Sequence, residues 1–215
     1  MRNKVEIEKI YKWLEKNELT FSEVKNDWND QGLNSTHFKA LVSVTLSTMT
    51  HTDRVIKAAV ALYSVADTPE KILELDDDTL RKLIHPVAHY NRKTIHLKKM
   101  CSEIINNFGG EVPSNKKDLL SLTGVGEKCA NIMLNFEFNT NSIAVDTHVL
   151  RALKFFNIVS SDATAEEASK IINKITPEQY KKHAHERLIR FGFQLKSKQK
   201  ENPKYKEQIF SEIFQ

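Results

Sequence analysis

Apolar residues recur at the helical interval along almost the whole of this 215-residue chain, and that period constrains the fold more than any other feature. Ile7, Ile10, Tyr11 and Leu14 predict an amphipathic helix from Glu6 to Leu14. Phe38–Leu46 is strongly apolar, and its end, Val42-Ser-Val-Thr-Leu46, is the one alternating run. That run would suit a short strand, but no second run exists to pair with it. With 6 Gly and 5 Pro, turn clusters are also too few for a sheet protein.

Start and stop signals divide the periodic stretches. Asn26–Asn34 reads as a polar loop, and Ser35-Thr36 offers an N-cap. Asp53 is expected to start a helix carrying Val55, Ile56, Ala59, Val60 and Tyr63. Thr68-Pro69-Glu70 and Asp76-Asp77-Asp78 open two short helices. Val87–Asn91 reads as a turn after Pro86, and a long helix is predicted from Arg92 to Asn107, stopped by Gly109-Gly110. Further helices are expected over 118–122, from Cys129 through Phe136, from Thr147 to Phe156, from Ala163 to Ile175 and from Pro177 to Phe191. A lysine-rich tail, Lys196–Lys206, precedes an amphipathic turn with Ile209, Phe210, Ile213 and Phe214. The fold class is therefore all-α.

Cys101 and Cys129 are the only cysteines, which excludes a disulfide framework and a four-cysteine metal site within this chain and suits a reducing compartment. No metal site is expected. The N-terminus lacks a signal-peptide core and no apolar run approaches a membrane span, so a cytoplasmic protein without a membrane partner is expected, nucleoid-associated if bacterial. A net charge of +4 permits nucleic-acid binding without demanding it.

The chemistry concentrates in Leu122-Thr-Gly-Val-Gly-Glu-Lys128. Gly124-Val125-Gly126 reads as a hinge between two short helices, where glycine permits positive φ and close approach of another backbone. The first-turn amides of the second helix then lack intrahelical partners and favour an anion such as a DNA phosphate. A plain helical hairpin with a glycine turn reads the same way. Lys128 stands in that first turn, where the helix dipole opposes a cation. It is either a solvated surface lysine or a nucleophilic amine, which needs the neutral form that such a field favours. Asp146, before Thr147-His148-Val149, is an N-cap, and it can also present a rigid ionised carboxylate to charge developing on a sugar. His148, inside the helical turn, is expected to be a structural hydrogen-bonder.

Together, Leu119-x-x-Leu122-x-Gly124-Val-Gly126-x-Lys128-x-Ala130-x-x-x-Leu134 and Val145-Asp-Thr-His148-x-x-Arg151 resemble the endonuclease III family of helix-hairpin-helix DNA glycosylases. Leu62-Tyr63-x-Val65-Ala66-x-Thr68-Pro69, Tyr90-Asn-x-Lys93 and Gly110-Glu-Val-Pro113 extend the resemblance, which covers about 36–156. It implies two helical domains with the active-site cleft between them: a helical barrel over 30–140 ending in the hairpin, and a second domain from 1–29 plus 141–215. It implies a monomer that binds double-stranded DNA carrying a damaged base or abasic site, with the base flipped out of the stack. Lys128 matches the family's nucleophile and Asp146 its essential carboxylate, which implies a bifunctional glycosylase/AP lyase. Gly124, Val125 and Gly126 match the phosphate-contacting hairpin, whose carbonyls are also implied to hold a monovalent cation.

Three positions depart from the family pattern. No Cys follows Gly192, so the 4Fe-4S cluster of most relatives has no ligands here; Lys196, Lys198, Lys200, Lys204 and Lys206 occupy that region. Either this is a solvated tail or Lys196 and Lys198 meet DNA phosphates, with Phe210 and Phe214 packing in the cluster's place. Met49 stands where the family usually offers a Gln that fills the space of the flipped base, and His89 where it has a Leu wedge. The expected substrate is an oxidised pyrimidine. Another lesion or mismatch, or catalytically silent binding of damaged DNA, are the alternatives.

Overall fold

A computed structural model describes residues 4–17, 28 and 30–214, and among these no strand occurs. The chain divides into two compact units, Val24–Phe138 and Met1–Glu23 with Asn139–Gln215. Of the expected 26–34 loop, Asn26, Asp27 and Asn29 lie outside the described residues, and Asp30–Asn34 forms turns.

The continuous unit holds α2 (His37–Ser47), α3 (Thr52–Tyr63), α4 (Pro69–Glu74), α5 (Asp77–Ile84), α6 (Tyr90–Phe108), α7 (Lys116–Ser121) and α8 (Glu127–Ile132). A π-helical turn, Met133–Glu137, follows α8. Thr36, Thr68 and Asp76 cap α2, α4 and α5 through their side chains, each worth about 1 kcal/mol. The run Val42–Leu46 is helical rather than extended. Its alternation arises because Ser43 and Thr45 are buried with their hydroxyls satisfied: Ser43 Oγ donates to Leu33 O at 3.0 Å and Thr45 Oγ1 to Val42 O at 2.8 Å. Leu41, Leu46, Leu62, Ile84, Leu97 and Ile104 meet in this unit's core.

Two starts differ from expectation. The α3 helix begins at Thr52 with His51 at its N-cap, so Asp53 occupies the first turn instead of opening it. The α6 helix begins at Tyr90 because His89 takes a left-handed conformation and turns the chain into the helix early.

The other unit combines α1 (Lys4–Lys16) with α9 (Thr147–Phe155), α10 (Ala165–Ile175), α11 (Glu178–Glu201) and α12 (Tyr205–Phe214). Its core stacks Phe156 on Phe191 at 4.6 Å and Tyr11 on Tyr180 at 5.3 Å between ring centroids. The α11 helix does not end at Phe191. Leu188, Phe191 and Leu195 carry its buried stripe onward, so Lys196 and Lys198 lie on a helix and not in an extended tail. Phe210 packs edge-on against Phe155 at 5.9 Å, and Phe214 against Phe210 at 5.7 Å,

Candidate active site

The hinge between α7 and α8 is held from two sides. Val125 N donates to Leu122 O at 3.1 Å, and Gly124 takes φ +87°, where an L side chain would be strained. A Cβ there would also stand 3.3 Å from His96 of α6. Glu103, two turns further along α6, grips the residue before the hinge: Oε2 accepts Thr123 N at 2.7 Å and Oε1 accepts Thr123 Oγ1 at 2.8 Å. Lys116 of α7 pairs with Glu127 of α8 at 2.8 Å. The two short helices are thus fixed to each other and to α6.

Lys128 is half-buried in the first turn of α8. It lines a cavity of about 360 Å³ together with Met49, His89, Arg92, Lys93, His96, Gly124, Gly126 and Cys129. Arg92, Lys93 and Lys128 contribute positive charge there and no carboxylate lines the space, so the cavity suits an anionic ligand. The Val125 side chain is buried beneath the hinge. Burial raises the Cys129 thiol above its ordinary range, which keeps it inert beside Lys128.

Met49 and His89 stand at the rim, both at φ +57° and both exposed, Met49 at 82%. A left-handed conformation costs a non-glycine residue about 1–2 kcal/mol, and such strain collects at functional sites. Five of the residues expected from sequence, Lys128, Gly124, Gly126, Met49 and His89, therefore meet at one cavity. Asp146, Lys196 and Lys198 belong to the other unit.

Asp146 is the N-cap of α9, its Oδ1 accepting His148 N at 2.9 Å and Val149 N at 2.8 Å. Both amides converge on one oxygen, and among the described residues no hydrogen bond falls on Oδ2. The α9 helix is seated against α11 at Gly192, where a Cβ would come within 2.0 Å of His148 O. Arg151 Nη1 donates to Gly192 O at 2.8 Å, and the His148 and Phe193 rings stack at 3.9 Å. Lys198 pairs with Glu201 at 3.7 Å.

Gly192, Glu103 and Thr50 are not separable from their neighbours by motif alone, whereas Lys93 closes the Tyr90-Asn-x-Lys93 motif without a role assigned to it. Lys93 carries one further signal, a charge on the stripe formed by Thr94, Leu97, Met100 and Cys101, the buried face of α6.

The model of the HhH-GPD superfamily base excision DNA repair protein matches residues 42–178. Endonuclease III of Buchnera aphidicola subsp. Baizongia pistaciae is 35% identical over 159 residues, 74% of this chain and 73% of the relative. That of Buchnera aphidicola subsp. Schizaphis graminum is 39% identical over 151 residues, 70% and 72% of the two chains. A solved structure of a trapped endonuclease III–DNA covalent intermediate superposes with a TM-score of 0.76 at 28% identity, covering 89% of this chain and 86% of that one. The chain belongs to the endonuclease III family of this superfamily.

Among the described residues no group of three or more His, Cys, Asp or Glu side chains could hold a metal ion, and no helix is long and apolar enough to cross a membrane. The only two thiols, Cys101 and Cys129, are both buried in the continuous unit, so the donor set for a four-cysteine cluster does not exist in this chain.

Proposed function

We propose that this protein is a bifunctional DNA glycosylase/AP lyase that removes an oxidised pyrimidine from double-stranded DNA and nicks the strand. The observation that carries the reading is Lys128, half-buried at a cationic cavity beside the glycine hinge. The phosphates flanking a damaged nucleotide dock on the hinge amides, and the flipped base leaves its sugar C1′ open to attack. The neutral Lys128 Nζ forms a bond to C1′ as the bond to the base breaks, and the base departs with the electron pair and takes up a proton. Ring opening gives a Schiff base, loss of a proton from C2′ follows, and the C3′–O bond breaks with phosphate as the leaving group. Asp146 stabilises positive charge developing at the sugar or accepts the Lys128 proton, its carboxylate held rigid by two backbone amides. The covalent intermediate trapped for the structurally similar endonuclease III supports a covalent route here.

Lys196 and Lys198, on the last turns of α11, are assigned to phosphate contacts. The reaction as written uses no cofactor. The hinge carbonyls of Leu122 and Gly126 accept Val125 N and Ala130 N and keep a second lone pair, the donor type a monovalent cation takes.

Borohydride reduction on an abasic-site duplex tests the proposal. The wild type should form a covalent adduct, and Lys128→Gln should form none. Absence of a wild-type adduct refutes the lyase, and a panel of defined lesions and mismatches with each opposite base tests the oxidised-pyrimidine assignment.

A further inference from the structure

The end of α2 uses every carbonyl it exposes, and one side chain from α6 is responsible for part of that. Val44 O accepts Ser47 Oγ at 2.7 Å, Thr45 O accepts Thr48 Oγ1 at 2.9 Å, and Ser47 O accepts Thr50 N at 3.1 Å. The remaining two, Leu46 O and Thr48 O, accept Lys93 Nζ at 2.7 and 2.8 Å, and its third donor reaches Thr50 Oγ1 at 3.4 Å. An ammonium has three donors, and all three are spent on one turn.

The same hydroxyl crosses to a second turn. Thr50 Oγ1 accepts Ala88 N at 3.0 Å, and Lys93 N donates to His89 O at 3.0 Å. Met49 is thus flanked by Thr48 and Thr50, both bonded to Lys93, while His89 is flanked by Ala88, bonded to Thr50, and is itself bonded to the Lys93 backbone. These are the two left-handed residues at the cavity rim. A cap on α2 would account for Leu46 O and Thr48 O alone. It does not account for the Thr50–Ala88 link.

We propose that Lys93 and Thr50 are positioning residues that couple the Met49 and His89 turns into one rigid pair, so that both side chains enter a damaged duplex together. The DNA part rests on the proposed function, whereas the coupling is a property of the free protein. Burial draws the Lys93 ammonium down to about 8, so an apolar residue on this face of α6 would be less costly. Retaining the lysine fits a network that fixes two strained turns, each of which would otherwise relax on its own.

Amide hydrogen exchange on the free protein tests the coupling with Thr50→Val, Thr50→Ser and Lys93→Met. Thr50→Val should speed exchange of Ala88 N about tenfold, although the substitution lies in the other turn, and Thr50→Ser should leave it at the wild-type rate. Lys93→Met should loosen both turns, and the double variant with Thr50→Val should exchange no faster at Ala88 than the faster single variant. Unchanged Ala88 exchange in Thr50→Val, or equal loss in Thr50→Ser, overturns the proposal. The preference for a tetrahydrofuran abasic duplex over an intact one should then fall about tenfold in Thr50→Val. If the wild type itself shows no such preference while exchange remains coupled, the DNA reading is what fails; if the wild type discriminates and Thr50→Val discriminates equally, the positioning role is what fails.

Discussion

Replacing Gly192 with alanine adds one methyl group at the point where α11 meets α9. The new Cβ would lie 2.0 Å from His148 O, 2.6 Å from His148 C and 3.2 Å from its Cα. Both partners are backbone, so no rotamer change relieves the overlap. An ordinary contact requires the helices to part by about 1.4 Å, and overpacking of this kind costs about 1–3 kcal/mol, occasionally more. The separation also stretches the 2.8 Å bond from Arg151 to Gly192 O, a charge-assisted bond worth about 1.5–3 kcal/mol. A loss of about 3–5 kcal/mol is expected, and for a chain of this size the melting temperature should fall by roughly 10 °C. Urea titration gives the free energy through a lower midpoint at unchanged slope. The helix that moves begins at the Asp146 cap, and a displacement of about 1 Å can reduce a rate about a hundredfold, so residual activity should fall further than the folded fraction. A Gly192→Ala protein within 1 kcal/mol of wild type would refute the close approach, since its cost does not depend on function.

Gly126→Ala makes the opposite case: nothing lies within 4 Å of its Cβ and its φ is −98°, so stability should change by less than about 0.5 kcal/mol while affinity for abasic DNA drops if the hinge backbone meets a phosphate. Asp146→Asn keeps an equally good helix cap and should melt like the wild type with its activity lost, whereas Asp146→Ala should lose activity and about 1 kcal/mol as well. Burial pushes the Cys101 thiol from 9.0 up to about 12. The folded state holds that proton longer than the unfolded one, so its contribution is complete below pH 9 and is lost as pH rises toward 12. Cys101→Ala should flatten the alkaline fall in stability over that window, measured by denaturant midpoint against pH.

What could be read from the sequence was what is decided locally. Thr36, Thr68, Asp76 and Asp146 act within three residues of their own positions, so their caps were visible as residue types. The hinge was visible for the same reason: Gly124 needs positive φ where it stands, and Lys128 is defined by its distance from it. Gly192 was silent because its neighbour is 44 positions away in the chain, and a helical glycine carries no local mark of a close crossing. The last third of α11 has the composition of a tail, since its lysines outnumber the buried Leu195 that continues the stripe. Thr50 and Glu103 act through partners 38 and 20 residues distant, beyond any periodicity. The placement of Met49 and His89 came from resemblance, and their shared left-handed backbone was a finding of the structure.

The unit that contains Asp146 is discontinuous in the chain, and α1 packs on α11 and α12, with Trp13 Nε1 donating to Glu212 at 3.0 Å across 199 residues. A ribosome releases α1 well before the helices it packs on. The Val24–Phe138 unit has all its residues in hand before α11 is made, while α1 must wait, with Ile7, Ile10 and Tyr11 uncovered, until α11 and then α12 emerge. That late union bears the loop-closure entropy of joining segments far apart in the chain. The interval leaves an apolar helix face open to chaperones, and it places the acquisition of Asp146's helix after that of Lys128's in the life of every molecule.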